Sequence, residues 1–484
     1  MLAALKDKSL HYQVFALALP MVLSNITVPL LGLVDAAVIG HLDQSWYLGG
    51  VAVGGTMINV TFWLLGFLRM ATTGITAQAQ GSANKDAQAV IFVQGMALAW
   101  LFGAVLVALH QPVSQVIFHF SSAGNEVKLY AAQYFSIRIW GAPAALANFV
   151  IMGWLLGMQN AKLPMWLLIV TNVVNIALDL IFVLGLGWKV QGAAAASVIA
   201  DYSGMMLGLW FVAQQWLQLG LPPLKQKLSS VRHGMGRLLK LNRDIFLRSL
   251  CLQATFTFMT FQGAHLGDNV VAANAVLMSF LMLVSYAMDG FAYAMEALVG
   301  KAVGARNKGQ LERYLVGTTF WSLLIALALT AIFAFFGTQI IGIISDIPAV
   351  QQQADIYLPW LTAVPLVAMW CFLLDGVFIG ATRGKDMRNS MFLATSGFFV
   401  IWWLMSSYGN HALWAAMIGF MALRGGILAL IFISQWRKIY FYRTLNKQLL
   451  IIALNSIGDF LYKNTFNHDC DLLKCVHFLS RWCE

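Results

Sequence analysis

The sequence predicts an all-α integral membrane protein, with twelve transmembrane helices in two pseudo-symmetric six-helix bundles. Three observations carry that expectation. Of 484 residues, 60% are hydrophobic and only 10% charged, with a mean hydropathy of +0.73; this is too little polar residue to cover a soluble globule. Twelve apolar runs each reach the length of about 18 or more residues that a bilayer crossing requires, without the alternation of barrel strands. Two loop motifs recur at one displacement, which divides the twelve runs six and six.

The first six spans cover about residues 12–39, 48–72, 89–110, 130–156, 163–185 and 192–215. The second six cover about 245–265, 271–299, 314–337, 356–380, 390–407 and 412–435. Around them, 1–11 is a cytoplasmic N-terminus, 12–215 the first lobe, 216–244 a basic cytoplasmic linker, 245–436 the second lobe, and 437–484 a cytoplasmic tail expected to be poorly ordered or interfacial. The first apolar run is too long for a cleavable signal peptide and lacks a small-residue cleavage pattern, so it is expected to stay as the first span. Cys251 and Cys371 lie inside spans, and Cys470, Cys475 and Cys483 in the tail. That odd count at such places gives no disulfide framework.

The net charge of +10 is explained by where it falls. With the N-terminus inside, seventeen lysines and arginines precede the tail in inside segments, against Lys128 and Lys189 in outside loops. This positive-inside bias places both termini in the cytoplasm and removes the need for a nucleic-acid partner.

The repeat is explicit. Gly81-Ser-Ala-Asn-Lys85 after the second span is echoed by Gly304-Ala-Arg-Asn-Lys308 after the eighth, a displacement of 223 residues. Gly157-Met-Gln-Asn-Ala-Lys162 after the fourth is echoed by Gly380-Ala-Thr-Arg-Gly-Lys385 after the tenth, at the same displacement. An even number of spans per half makes the repeat parallel, as in transporters whose halves rock around a site between them. A duplicated scaffold without transport is the alternative.

Asp35 is the residue the first span has to explain, because an acid at a helix centre in the bilayer costs at least about 2.5 to 3.5 kcal/mol. Asn172, Asn175 and Asp179 follow at i, i+3 and i+7 on one face of the fifth span, in its outer half. Tyr134 and Ser197 lie near the outer ends of the fourth and sixth, with Arg138 and Asp201 one turn beyond them. Carboxylates sharing a low-dielectric site cannot all ionise cheaply, so the cluster can hold a proton. Its hard oxygens could equally coordinate Na⁺, Arg138 would oppose protonation, and a static polar knot remains the bland alternative. At the 223-residue displacement Asp35 falls on Phe258, Asn175 on Phe398 and Asp179 on Trp402. The second half does without the acids, which favours a functional role for them in the first.

Pro20 and Pro29 interrupt the first span, where each removes a backbone hydrogen bond and permits either a hinge or a permanent kink. The second half has its own buried charges: Asp289 and Glu296 in the eighth span, Asp375 in the tenth and Arg424 in the twelfth, with Arg69 in the second span their nearest counterpart. Asp289 or Asp375 paired with Arg424 is expected as a structural ion pair, a second cation site being the alternative.

The Pro20 to Asp35 spacing, the Asn175-x-x-x-Asp179 pair and the strings LPMVLSNITVPLLGLVDAAVIGHL, LRMATTG, MDGFAYAMEA, LLDGVFIGATR and GNHALW resemble the multidrug and toxic compound extrusion (MATE) family, its bacterial DinF subfamily in particular, over about residues 10–440. The resemblance implies a V-shaped pair of lobes and efflux of organic, often cationic or amphipathic, compounds in exchange for H⁺ or Na⁺ across the bacterial inner membrane. It implies cation-coupling positions at Asp35, Asn175 and Asp179, with Tyr134 and Ser197 associated, and a bending proline at Pro20. Asn172, Arg138 and Asp201 are candidates for an N-lobe cavity. The tail from about residue 445 departs from the family; its His468, Cys470, Cys475 and His477 fit no standard zinc spacing. The expected partners are small toxic organic molecules and the lipid bilayer, with no metal or other cofactor beyond the coupling ion, and the chain is expected to be monomeric.

Other functions fit less well. A flippase of lipid-linked oligosaccharide, the alternative within related folds, needs a basic central cavity for pyrophosphate. An enzyme needs a nucleophile or metal constellation, and no His, Cys and acid cluster occurs within the spans. A channel needs a filter, and none is visible.

Overall fold

The structure, a computed structural model, describes residues 6–40, 44–120, 124–223 and 234–439. Among them every regular element is a helix, as expected where each backbone N–H and C=O must be satisfied within its own segment. The first half comprises α1 (Lys8–Gly40), α2 (Ser45–Leu64), α3 (Phe67–Gly81), α4 (Lys85–Phe120), α5 (Asn125–Arg138), α6 (Ala142–Gly157), α7 (Lys162–Asp179) and α8 (Lys189–Leu219). The second comprises α9 (Met235–His265), α10 (Asp268–Gly304), α11 (Lys308–Ile344), α12 (Pro348–Gly380), α13 (Gly384–Leu404) and α14 (Asn410–Ile439). The helices through Ile431 form one compact unit, and the end of α14 from Phe432 belongs to a second.

Among the described residues ten segments are long and apolar enough to cross a membrane, α2 with α3 counting as one and α5 with α6 as another. α9 and α13, which carry the expected seventh and eleventh spans, are not among the ten. The first three turns of α9 hold Arg237, Lys240, Arg243 and Asp244, with Arg248 following, and the first two turns of α13 hold Lys385, Asp386 and Arg388. Helix reaches into both ends of the expected linker, to Leu219 and from Met235. Residues 224–233, and the tail from residue 440 with its histidines and cysteines, lie outside the described residues.

The 223-residue repeat is present in the backbone. Ser45 and Asp268, Gly81 and Gly304, Lys85 and Lys308, and Gly157 and Gly380 are helix boundaries in corresponding places. Ala83 and Arg306 adopt left-handed φ of 53° and 51°, and Gln159 and Thr382 of 67° and 57°. Beyond each, an N–H bonds back across the helix end: Asn84 to Ala79 at 3.0 Å, Asn307 to Ala302 at 3.0 Å, Asn160 to Leu155 at 3.0 Å and Arg383 to Phe378 at 2.8 Å. This is the Schellman cap, built four times on a residue other than the usual glycine.

The halves meet along a seam between α3 and α10. A Cβ on Gly81 would collide with the Lys301 carbonyl, and one on Gly304 with the Gln78 carbonyl, in a pseudo-two-fold contact. Gln78 Nε2 donates to the Gly380 carbonyl at 2.8 Å, and Gln159 Nε2 to the Ala297 carbonyl at 2.9 Å. Lipid tails are as apolar as leucine, so membrane helices associate through close backbone approach and hydrogen bonds of this kind. α1 stays helical through both prolines, with Pro20 buried and Pro29 exposed.

Candidate functional site

The acid in α1 is met by the acid that ends α7. The Asp35 and Asp179 carboxyl groups interact directly, and Asp179 is only 1% exposed. Both Asp179 oxygens and Asp35 Oδ1 are buried without a hydrogen-bond donor among the described residues. One turn before Asp179, Asn175 Nδ2 donates to Ser197 Oγ on α8 at 2.9 Å, leaving its own Oδ1 buried and without a donor. Tyr134 on α5 is buried, reaches Ser197 and lies within Coulomb range of both carboxyls. Gly54 on α2 makes room for it, since a Cβ there would stand 2.9 Å from the Ala131 carbonyl and 3.0 Å from the Tyr134 ring.

Arg138 is committed elsewhere. It pairs with Asp201 at 2.6 Å and lies 5.2 Å from the centroid of the Phe62 ring. The Asp201 carbonyl accepts from Asn148 Nδ2 at 3.0 Å. Arg138 remains within Coulomb reach of Asp35, but its charge is balanced by Asp201. Asn172 turns to α1, donating through Nδ2 to Thr27 Oγ1 at 2.7 Å. The structure therefore gathers Asp35, Asn175, Asp179, Tyr134 and Ser197, and sets Arg138 with Asp201 beside them as an ion pair.

A π-helical turn, Leu180–Gly185, follows Asp179 immediately. Such turns are rare and frequent at functional sites. It is not legible in the sequence, where only Gly185 and Gly187 mark the end of the span.

A MatE family model matches residues 20–181 and again residues 245–389. DNA damage-inducible protein F of Escherichia coli is 48% identical over 432 residues, covering 89% of this chain and 93% of that protein. The chain belongs to the MatE family. A probable multidrug resistance protein NorM of Thermotoga maritima is 25% identical over 448 residues, 88% of this chain and 93% of that one. The solved structure of a MOP superfamily transporter from Pyrococcus furiosus superposes with a TM-score of 0.79 at 19% identity, covering 90% of this chain and 97% of its own. As a MatE protein the chain is a multi-pass membrane transporter of small molecules and not an enzyme.

The second half of this MatE chain answers the acid site with aromatics. Phe258 meets Phe398 edge-on at 6.0 Å and Trp402 at 4.9 Å between centroids, so the counterparts of Asp35, Asn175 and Asp179 also come together. The expected ion pair is present and larger than expected. Asp375 Oδ2 accepts from Arg424 at 2.7 Å and also from Arg248. Sequence reasoning missed Arg248, although an arginine inside the 245–265 span was signal enough. Asp289 pairs with neither arginine; it stands on α10 between Tyr286 and Tyr293 along one helical stripe. Arg69 and Glu296 join the halves at 3.4 Å, with side chains 9% and 1% exposed, and the Arg69 guanidinium lies 4.1 Å from the centroid of the Tyr293 ring.

Proposed function

We propose that this MatE transporter is a secondary active antiporter exporting organic, cationic or amphipathic compounds in exchange for H⁺, with Na⁺ the alternative coupling ion. In this reading it is a monomer of the bacterial inner membrane with both termini cytoplasmic. Its two six-helix lobes are residues 12–215 and 245–436, and α9 and α13 complete twelve crossings. The packing of these two helices on each other, with Arg388 on Asp244 at 2.9 Å, supports counting both.

The observation that carries the proposal is the Asp35–Asp179 pair. Two carboxyls from different helices face each other, three of their oxygens are buried with no donor among the described residues, and the nearby guanidinium is balanced by Asp201. Two negative charges in contact in a low dielectric repel strongly. A proton shared by the pair, or Na⁺ held with Asn175 Oδ1, removes that repulsion. Gaining the cation draws α1 and α7 together, and losing it lets them part. Pro20, about fifteen residues or ~22 Å along the helix from Asp35, is where α1 yields. The named multidrug resistance relative supports efflux of drugs. An oligosaccharide flippase has less support, because the buried Arg69, Arg138, Arg248 and Arg424 each face a carboxylate.

The test is efflux from proteoliposomes under an imposed proton gradient and then a sodium gradient, for the parent and for Asp35→Asn. The substitution is expected to abolish gradient-driven efflux while leaving the protein folded. Intact gradient-driven efflux would remove the coupling assignment, and the gradient that drives the parent identifies the ion.

A further inference from the structure

At the end of the bundle where basic residues gather, a cavity of about 530 Å³ opens between the first turns of α9 and the α12–α13 turn. Its walls carry four cations, Arg237, Lys240, Arg383 and Lys385, and two acids, Asp244 and Asp386. Both acids are already engaged. Asp244 accepts from Arg243 at 3.0 Å and Arg388 at 2.9 Å, and Asp386 from Arg383 at 2.7 Å. Arg237 donates to neutral oxygens, Gln78 Oε1 at 2.9 Å and Thr382 Oγ1 at 3.1 Å. Lys240 and Lys385 are exposed and have no acidic partner among the described residues.

We propose that this cavity binds a phosphate group, presented by the headgroup of an anionic phospholipid or as the soluble ion. Three cations without a counter-ion among the described residues, around one concavity, repel each other, and a phosphate replaces that repulsion with charge-assisted hydrogen bonds. Basic pockets between helices at a membrane surface take lipid headgroups for this reason. Arg237 gives occupancy a consequence. It bonds Gln78 and Thr382, the residues that tie α3 to the end of α12, so a phosphate on Arg237 steadies the seam between the halves.

Thermal unfolding of the full chain in nanodiscs of phosphatidylglycerol and of phosphatidylcholine tests this, with inorganic phosphate added to the second as a separate arm. The expected result is a rise of several degrees with phosphatidylglycerol, lost in Lys240→Gln/Lys385→Gln and retained in Lys128→Gln. Both exposed lysines are positions where substitution alone is close to neutral for stability, and unfolding in phosphatidylcholine without phosphate checks this. A lysine-dependent rise with inorganic phosphate in phosphatidylcholine shows that the soluble ion suffices; a rise confined to phosphatidylglycerol assigns the lipid. Equal rises in parent and double variant, or no rise with either source, would overturn the site.

Discussion

Replacing Glu296 with glutamine tests whether the Arg69–Glu296 pair holds the seam. The two side chains are 9% and 1% exposed and 3.4 Å apart, so Arg69 would be left buried without its ion-pair partner. Breaking a buried pair from one side costs about 3–5 kcal/mol. The new amide still accepts one hydrogen bond, worth about 1 kcal/mol. The arrangement in which α3 and α10 touch should therefore lose about 2–4 kcal/mol, roughly a 30-fold or larger fall in its population relative to a parted state. Spin labels at the exposed Ser82 and Ala305, in a background with accessible cysteines replaced, report the separation of the two symmetry-related turns. Glu296→Gln should move weight from the short distance to a longer one. Arg69→Gln/Glu296→Gln, which removes both charges, should move most of it back. An unchanged distance distribution in a folded Glu296→Gln protein, or no recovery in the double variant, would refute the reasoning.

Gly81→Ala and Gly304→Ala should each lower the unfolding temperature, because the added methyl meets a backbone carbonyl of the opposite half and overpacking costs about 1–3 kcal/mol; Gly55→Ala, with nothing within 4 Å of its Cβ, is the control that should not. Ser197→Ala should reduce gradient-driven efflux by removing the acceptor of Asn175 Nδ2, and Ser197→Thr should retain it. Asp375→Asn should lower yield and thermal stability markedly, since Arg248 and Arg424 would lose their shared carboxylate. Asp35→Asn should do neither, since no cation among the described residues is paired with Asp35.

The helical scaffold was legible because its signals are local: uninterrupted apolar runs, and caps that repeat at 223 residues. The N-lobe cluster was legible in part, since Asn175 and Asp179 share a face by spacing alone and Tyr134 and Ser197 sit at matching depth. What was not legible depends on pairing across distance. Arg138 reads in the sequence as an opponent of protonation, and only the fold shows it bound to Asp201. Arg69 and Glu296 are separately visible as buried charges, yet nothing in the chain announces that residues 227 apart join. The π turn after Asp179 is a matter of one extra residue per turn, which no composition marks.

The two halves share a backbone plan but divide its chemistry, and α1 connects them. In the second half Asp375 is held between two guanidiniums, which do not deprotonate in proteins. In the first half the Asp35–Asp179 pair has no such clamp among the described residues. α1 belongs to the first half by sequence, yet up to Asn25 it grips the second: His11 accepts from Trp321 at 2.9 Å, Gln13 from Tyr314 at 2.9 Å, and Asn25 donates to the Tyr286 carbonyl at 3.2 Å. From Thr27 onward it engages the first half, through Asn172 at 2.7 Å and through Asp179. Pro20 lies in the gripping segment and Asp35 in the engaging one. In the proposed cycle a change of charge at Asp35 would act on a helix whose other end is tied to α10 and α11, and the backbone bond missing at Pro20 is the place where such a helix would give least resistance.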